Sequence, residues 1–200
     1  MPTLITLPSL YGFPAYAIPT LAESDEVRIR TDFIFEKSTG MNRMKILGAN
    51  GPILLSIPVK KHTKGTPASD IQIDYIQKWQ SQHWRSIQSA YGKSPYFEYY
   101  KAELEEMYTQ TPERLVDFTS VLMKWILSQY HPKIQISVIL AQNPETFNPA
   151  EPLLLRWKED IPASGTDFSY HQVFGEKFVT GLGALDHLFC EGTKFWKLQN

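Results

Sequence analysis

The sequence predicts a single α/β domain, in which helices pack on a mixed, largely parallel sheet and the C-terminal region is irregular. Two short strand-like runs near the N-terminus bracket a helical segment, and three amphipathic helical patterns follow in the middle of the chain. Prolines interrupt the pattern after residue 140. A chain of 200 residues has the usual size of one domain.

The first elements predict a βαβ unit. Residues 4–7 form a short apolar run that stops at Pro8, and residues 13–23 form a mostly apolar stretch with Pro14 in its first turn. Residues 27–30 are the next strand candidate. A strand, a helix and a strand within about 30 residues have the size of a βαβ unit, so these two strands should be parallel.

The remaining strand candidates complete the predicted sheet. Residues 43–47 and 53–59 flank a loop that contains Asn-Gly, which is typical of a hairpin. Residues 71–74 and 134–140 alternate between apolar and polar side chains, as half-buried strands do. We therefore expect strands near residues 4, 27, 43, 53, 71 and 134.

The segment between residues 76 and 130 predicts three helices. The first begins near Trp79 and stops at Gly92, the second starts after Pro95, and the third lies between Pro112 and Pro132. Each has apolar side chains at three- and four-residue spacing. These helices would pack on the sheet.

The region after residue 140 is predicted to be irregular and to lie across one edge of the sheet. It is rich in Asn, Glu, Asp and Ser and is interrupted by prolines. We expect a loop with one short strand at residues 153–157. A short helix follows, on which Leu182, Leu185 and Phe189 share one face.

Charge and cysteine content exclude several classes of protein. The formal net charge is −1, whereas a dedicated nucleic-acid-binding protein is usually basic, so we expect no nucleic-acid partner. Cys190 is the only cysteine, which excludes an internal disulfide and a cysteine-based structural zinc site.

The sequence shows neither a signal peptide nor a membrane helix. The N-terminus has no basic region followed by an apolar core. The longest apolar stretch, residues 53–57, is far short of the roughly 20 residues that a membrane helix needs. We therefore expect a cytoplasmic protein without a transmembrane segment.

The densest basic cluster is the Lys-Lys-His-Thr-Lys-Gly segment at residues 60–65, hereafter the basic loop. Loops at strand ends bind ligands in α/β folds, and a glycine lets backbone amides approach a phosphate. Lys60 and Lys61 are therefore candidates to bind the diphosphate of a nucleotide-sugar or a polyprenyl diphosphate. A solvated surface loop without a ligand would have the same composition.

Asn42 and Arg43 open a strand candidate shortly before the basic loop. Arginine forms bidentate contacts with phosphates and carboxylates, so Arg43 could face the same ligand. The alternative is a structural ion pair of Arg43 with Asp25, Asp32 or Glu36.

His83 is the candidate catalytic residue, because a reference pKa of about 6.5 suits a general base. It shares a helix face with Trp79 and Ile87, where a histidine also serves as a hydrogen-bonded core residue. Tyr91 and Tyr96 belong to an aromatic run that either lines a sugar site or fills the core. No carboxylate pair points to a metal site, and the cofactor and the oligomeric state stay open.

The familiar catalytic signatures are absent. The sequence contains no Gly-x-Gly-x-x-Gly, no complete Gly-x4-Gly-Lys-Ser/Thr phosphate loop, no His-Glu-x-x-His and no Gly-x-Ser-x-Gly.

Many separate pieces of the chain nevertheless occur in an order that resembles the WbqC-like family, in particular its short form from Bacteroidetes-type bacteria. In order, they are Leu7-Pro8-Ser9, Tyr16, Ser24-Asp25-Glu26-Val27, Asn42-Arg43, Pro58, Ile71-Gln72-Ile73-Asp74, Trp79, His83-Trp84-Arg85-Ser86-Ile87, Tyr91, Ser94-Pro95-Tyr96-Phe97-Glu98-Tyr99-Tyr100, Tyr170-His171-Gln172-Val173-Phe174 and Gly181-Leu182-Gly183-Ala184-Leu185-Asp186-His187-Leu188-Phe189. The resemblance covers about residues 3–108 and 168–192 and implies one WbqC-like domain over residues 1–200.

The resemblance implies a role in the biosynthesis of O-antigen or other surface polysaccharides. The leading hypothesis is a transferase that places a small acyl or aminoacyl group on a nucleotide- or lipid-linked sugar. Longer members carry a central segment rich in Gly, Asp-Arg and Tyr, which residues 132–162 do not show. The alternative is therefore a non-catalytic binding or assembly protein in the same pathway.

Overall fold

The computed structural model describes residues 4–37, 40–140 and 168–194. The helices and strands follow one another as β1 (Leu4–Pro8), α1 (Ile18–Ala22), β2 (Glu26–Arg30), β3 (Arg43–Gly48), β4 (Gly51–Ser56), α2 (Trp79–Tyr91), α3 (Phe97–Thr109), α4 (Leu115–Tyr130), β5 (Gln135–Ile139) and α5 (Ala184–Glu191).

Three strands form a parallel sheet in the order β1-β2-β5. Leu7 pairs with Ile29, and Ile29 pairs in turn with Val138. Along β2 the side chains alternate, so that Val27 and Ile29 are fully buried while the intervening charged residues are partly exposed. The central strand of the sheet therefore has one apolar and one charged side.

The β1–α1–β2 segment confirms the predicted βαβ unit, with parallel outer strands. Its helical part begins with a short 3-10 helix at Ala15–Ala17 and continues as α1. Pro19 lies in the first turn of α1, where the missing N–H of a proline removes no helical hydrogen bond.

The hairpin β3–β4 is confirmed, but it forms a two-stranded sheet of its own and does not extend the parallel sheet. Arg43 pairs with Ser56 and Gly48 with Gly51, which leaves a two-residue turn. Gly51 has φ +112°, a conformation that favours glycine.

Residues 71–74 do not form the predicted strand. Gln72 makes a single bridge to Arg114, and Ile73 makes a single bridge to Val59 on the other side. The segment therefore divides its backbone hydrogen bonds between two neighbours, and neither pairing is long enough to become a ladder.

The three central helices α2, α3 and α4 and the C-terminal α5 lie where the sequence predicts them. Their buried faces join the strands in one apolar core that runs from Leu7 to Phe189. These features confirm the α/β class. The predicted short strand at 153–157 lies outside the described residues, and residues 168–182 form no helix or strand.

In the part of the chain that the structure describes, no helix is both long and apolar enough to cross a lipid bilayer.

Candidate functional site

His83 lies on the buried face of α2, with 6% of its surface exposed. Its Nδ1 atom lies 2.7 Å from the Tyr11 hydroxyl, which in turn lies 2.6 Å from the Tyr108 hydroxyl. The ring also packs against Trp79, with 5.2 Å between the ring centroids. His83 is thus the centre of a buried aromatic cluster that joins α2, α3 and the segment that follows β1.

Burial lowers the pKa of His83 to about 4, although a hydrogen bond with the Ser56 backbone opposes this shift. The imidazole is therefore neutral at neutral pH. A neutral imidazole can accept a proton, but Tyr11 and Ser56 occupy its hydrogen-bonding positions and the protein encloses it.

Asn42 and Arg43 lie close to this cluster, because Arg43 pairs in the hairpin with Ser56, the residue that bonds to His83. The Asn42 amide donates a 2.8 Å hydrogen bond to the Ile57 carbonyl. Among the described residues, neither Asn42 Oδ1 nor Arg43 Nε has a hydrogen-bond partner, although both atoms are buried. The structure thus brings His83 and the Asn42–Arg43 pair to one end of the hairpin.

The basic loop lies beyond the carboxyl end of β2. Phe35, five residues after the end of β2, donates its backbone N–H to the Thr66 carbonyl at 2.9 Å. The His62 ring packs edge-on against Phe35, with 5.1 Å between centroids. Lys60 and Lys61 are exposed, and Lys60 Nζ donates to the Gln72 side chain at 3.0 Å.

A bidentate ion pair also lies at the carboxyl end of β2. Arg30 Nε and Nη2 lie 2.9 Å and 2.5 Å from the two carboxylate oxygens of Asp32, and Asp32 is 1% exposed. Asp32, one of the carboxylates considered for Arg43, thus pairs with Arg30 instead.

A second buried polar network surrounds Asp186 in α5. Tyr91 and Tyr170 donate hydrogen bonds of 2.6 Å and 2.5 Å to its two carboxylate oxygens. The Tyr91 hydroxyl also accepts a 3.0 Å hydrogen bond from the Leu47 backbone N–H. Asp186 is fully buried, and this burial raises the pKa of its carboxyl group while the two tyrosines lower it.

The neighbouring side chains extend this network. His187 Nδ1 lies 2.9 Å from the Tyr130 hydroxyl, and burial lowers the pKa of His187 to about 4. Burial also raises the pKa of Cys190 to about 12, which keeps its thiol protonated and unreactive. The sequence analysis did not select Asp186 or His187. The available signal was a charged residue beside a histidine inside an otherwise apolar helix.

A shallow pocket adjoins the Asp186 network, and Tyr170 belongs to both. The pocket lies between the 3-10 helix at Ala15–Ala17 and the segment before α5. Its lining residues are Ala15, Tyr16, Phe168, Tyr170, Phe178, Val179, Thr180, Gly181 and Leu182.

The predicted site residues therefore fall in separate places. His83 and Asn42–Arg43 are close together, the basic loop lies beyond β2, and Tyr91 belongs to the Asp186 network. Tyr96 packs near the end of α5, where the Lys194 ammonium lies 5.1 Å from its ring centroid. Within the described ranges no group of three His, Cys, Asp or Glu side chains could hold a metal ion.

Comparison with known proteins identifies the family. The model of the WbqC-like protein family matches residues 16–148, from the 3-10 helix beside the pocket to beyond the end of β5. No curated protein and no solved structure matches the chain. Because the family match covers well over half of the sequence, the protein belongs to the WbqC-like protein family.

Proposed function

We propose that the protein is a transferase in the biosynthesis of bacterial surface polysaccharides, such as O-antigen. It places a small acyl or aminoacyl group on a nucleotide- or lipid-linked sugar. Membership of the WbqC-like family supports the pathway. The observation that carries the proposal is the position of the basic loop beyond the carboxyl end of the parallel sheet.

This position suits a diphosphate. In α/β folds, ligands bind outside the carboxyl ends of parallel strands. Lys60, Lys61 and Lys64 are exposed there, and Gly65 has φ +87° with open space at the position that a Cβ atom would occupy. Lysines on a glycine-containing loop stabilise phosphate charge, and an open glycine lets the backbone approach it.

The same hypothesis assigns roles to the other candidate residues. Arg43 and Asn42 contribute to the diphosphate site from the start of β3, and His83 acts as general base on the acceptor hydroxyl or amine. Tyrosines line the sugar site.

The enclosure of His83 favours the alternative function. A general base must come within about 3 Å of the proton that it abstracts, and the nitrogens of His83 already bond to Tyr11 and the Ser56 backbone. A non-catalytic binding or assembly protein needs no such access. In that alternative, His83 stabilises the core and the basic loop still binds a ligand or a partner.

Thermal-shift measurements test the proposal. The purified protein is screened with nucleotide-sugars, nucleotides, CoA esters and amino acids. A nucleotide-sugar at a hundredfold excess over its Kd should stabilise the protein by about 2.7 kcal/mol, or about 5–10 °C in Tm. Lys60→Ala combined with Lys61→Ala should abolish this shift, because both cations are lost.

Lys93→Ala combined with Lys133→Ala is the matched control. These lysines are also exposed, but they lie outside the basic loop, after α2 and just before β5. This variant should keep the full shift. A nucleotide-sugar shift that survives in the Lys60/Lys61 variant would contradict the diphosphate site. The absence of any shift in the wild-type protein would favour the assembly role.

A further inference from the structure

We infer that the β3–β4 hairpin and the segment before α2 form a surface that binds the headgroup region of an anionic phospholipid membrane. This surface, hereafter the hairpin surface, consists of Leu54, Ile76 and the two lysines beside them, Lys45 and Lys78. The inference rests on the proposed function for its purpose, because it selects the lipid-linked sugar as the acceptor that the protein meets.

Two large aliphatic side chains of the hairpin surface are exposed. Leu54 in β4 is 50% exposed, and Ile76 in the segment before α2 is 90% exposed. Ile76 is the most exposed of the large apolar side chains in the part of the chain that the structure describes. Such side chains gain little from folding in water, whereas burial in the hydrocarbon of a membrane is favourable.

Hydrogen bonds fix the segment that carries Ile76. The Asp74 carboxylate accepts a 2.9 Å hydrogen bond from the Ile76 backbone N–H, and the Tyr75 hydroxyl donates a 2.8 Å hydrogen bond to the Pro112 carbonyl. The fold itself therefore presents Ile76 to solvent. A segment that is already ordered loses less conformational entropy when it binds.

Backbone pairing brings Ile76 back toward the end of β4. Residues 72–74 run antiparallel to residues 58–60, with backbone hydrogen bonds of 2.9 Å on both sides of this pairing. Beyond it the chain therefore returns toward Ser56, the last residue of β4. The helix α2, which follows Ile76, bonds to the backbone of the same serine. Leu54 and Ile76 thus lie at one end of the molecule.

Lysines accompany both aliphatic side chains. Lys45 is the cross-strand partner of Leu54 in the hairpin, so the two side chains project from the same face of this sheet. Lys78 is exposed and follows Ile76 by two residues. Lysines can reach anionic headgroups while neighbouring aliphatic side chains enter the apolar layer beneath them.

The charge of the chain is distributed in the same sense. Residues 43–78 contain six lysines and arginines and two aspartates, which gives a net charge of +4. The rest of the chain contains 14 basic and 19 acidic residues, a net charge of −5. An anionic membrane attracts the first part and repels the second, which orients the hairpin surface toward the lipid.

The combination of aliphatic and basic side chains selects a membrane over a nucleic acid. A nucleic acid would attract the lysines but offers leucine and isoleucine no hydrocarbon layer. The basic loop belongs to the same positively charged part of the chain. The diphosphate of a lipid-linked sugar lies at the level of the headgroups, where Lys60 and Lys61 can meet it. A nucleotide-sugar shares this diphosphate and serves as its water-soluble probe.

Co-sedimentation with lipid vesicles tests the hairpin surface. The purified protein is mixed with vesicles of phosphatidylglycerol and phosphatidylcholine in equal amounts, or of phosphatidylcholine alone. It should bind the anionic vesicles at least about tenfold more tightly, and about 0.5 M NaCl should weaken this binding. Lys45→Gln combined with Lys78→Gln should weaken it about 20- to 30-fold, through the loss of two cations. Leu54→Ser combined with Ile76→Ser should weaken it at least about tenfold, because less apolar surface enters the membrane.

Two control variants change the same residue types elsewhere. Tyr99→Ser combined with Val121→Ser removes exposed apolar side chains from α3 and α4. Lys93→Gln combined with Lys133→Gln removes two exposed lysines. Both should bind as the wild type does, and the Tm of every variant is measured to show that it is folded.

Two outcomes overturn the inference. One is that the wild-type protein does not sediment with the anionic vesicles. The other is that the Leu54/Ile76 variant binds them as tightly as the wild type does, since the attraction would then be the general one between lysines and any polyanion.

The failure of this inference can be told from the failure of the proposed function. The Leu54/Ile76 variant should keep the full thermal shift with a nucleotide-sugar, because it retains the basic loop. If the vesicles do not bind while the lysine-dependent thermal shift persists, the hairpin surface is not a membrane surface but the proposed function stands. If the vesicles bind and no nucleotide-sugar gives a shift, the membrane surface stands without the transferase.

Discussion

Two histidines, His83 and His187, lie in the interior as neutral side chains, each beside a tyrosine hydroxyl. Burial lowers the pKa of each to about 4, from an ordinary value near 6.5 in the unfolded chain. Below pH 6.5 the unfolded state therefore binds protons that the folded state does not. The stability that depends on these neutral histidines is complete above pH 6.5 and is lost as the pH falls toward 4.

The free energy of unfolding should consequently fall on mild acidification. Between pH 7.5 and pH 5 each histidine should contribute a loss of about 2 kcal/mol. Urea unfolding at a series of pH values measures the effect. His83→Gln and His187→Gln should each remove about half of the pH dependence, because glutamine does not titrate. Asp186 contributes a pH dependence of the opposite sign, because burial raises the pKa of its carboxyl group. This contribution is the same in both histidine variants. A free energy of unfolding that stays constant over this interval would contradict the burial of neutral imidazoles.

At the scale of elements, the end of α5 depends on one glycine. Gly192 ends the helix with φ +64°, and a Cβ atom placed there would lie 2.9 Å from a ring carbon of Tyr96. Alanine at this position would therefore meet both backbone strain and a clash. Tyr96, a candidate either for the sugar site or for the core, lies at this end of α5, where its backbone N–H donates a 3.1 Å hydrogen bond to the Phe189 carbonyl.

Gly192→Ala should destabilise the protein by about 2–4 kcal/mol in urea unfolding. Gly65→Ala is the matched control, because Gly65 also has a positive φ, +87°, but has open space at its Cβ position. It should cost only about 1–2 kcal/mol, the contribution of backbone strain. Tyr96→Ala in the Gly192→Ala background should recover part of the additional loss. Equal costs for the two glycine variants would show that the Tyr96 ring moves aside.

At the scale of the whole molecule, one apolar core connects the two sheets and the five helices of the described residues. The helix α5 packs against α2, α3, α4 and β3, although these elements are far from it in the sequence. Leu185, Leu188 and Phe189 on α5 are fully buried. The single domain predicted for residues 1–200 therefore requires that α5 folds together with the central helices.

Unfolding should accordingly occur in one cooperative transition. Urea curves followed by far-UV circular dichroism and by tryptophan fluorescence should coincide, because the hairpin, the parallel sheet and the helices share one core. Two separate midpoints would mean that the chain divides into independent units, and the prediction of a single domain would then be wrong.

The sequence was sufficient wherever structure depends on neighbouring residues. Apolar side chains at three- and four-residue spacing located α2, α3 and α4, since helical hydrogen bonds join residues four apart. The length of the β1–α1–β2 segment was enough to predict parallel strands, because a short helical crossover returns the chain in the same direction. The basic loop was likewise visible as a local concentration of charge.

Only the tertiary structure decided which distant residues meet. The alternating pattern at 71–74 is typical of a strand. In the structure, however, Gln72 makes a single bridge to Arg114 and Ile73 makes a single bridge to Val59, so no strand ladder forms. The Asp186 carboxylate meets a tyrosine 95 positions earlier in the chain, Tyr91, and so holds the wall of the pocket. Periodicity reports which face of an element is buried, but not against what it is buried. The pocket and the polar networks come from long-range packing, which local patterns do not encode.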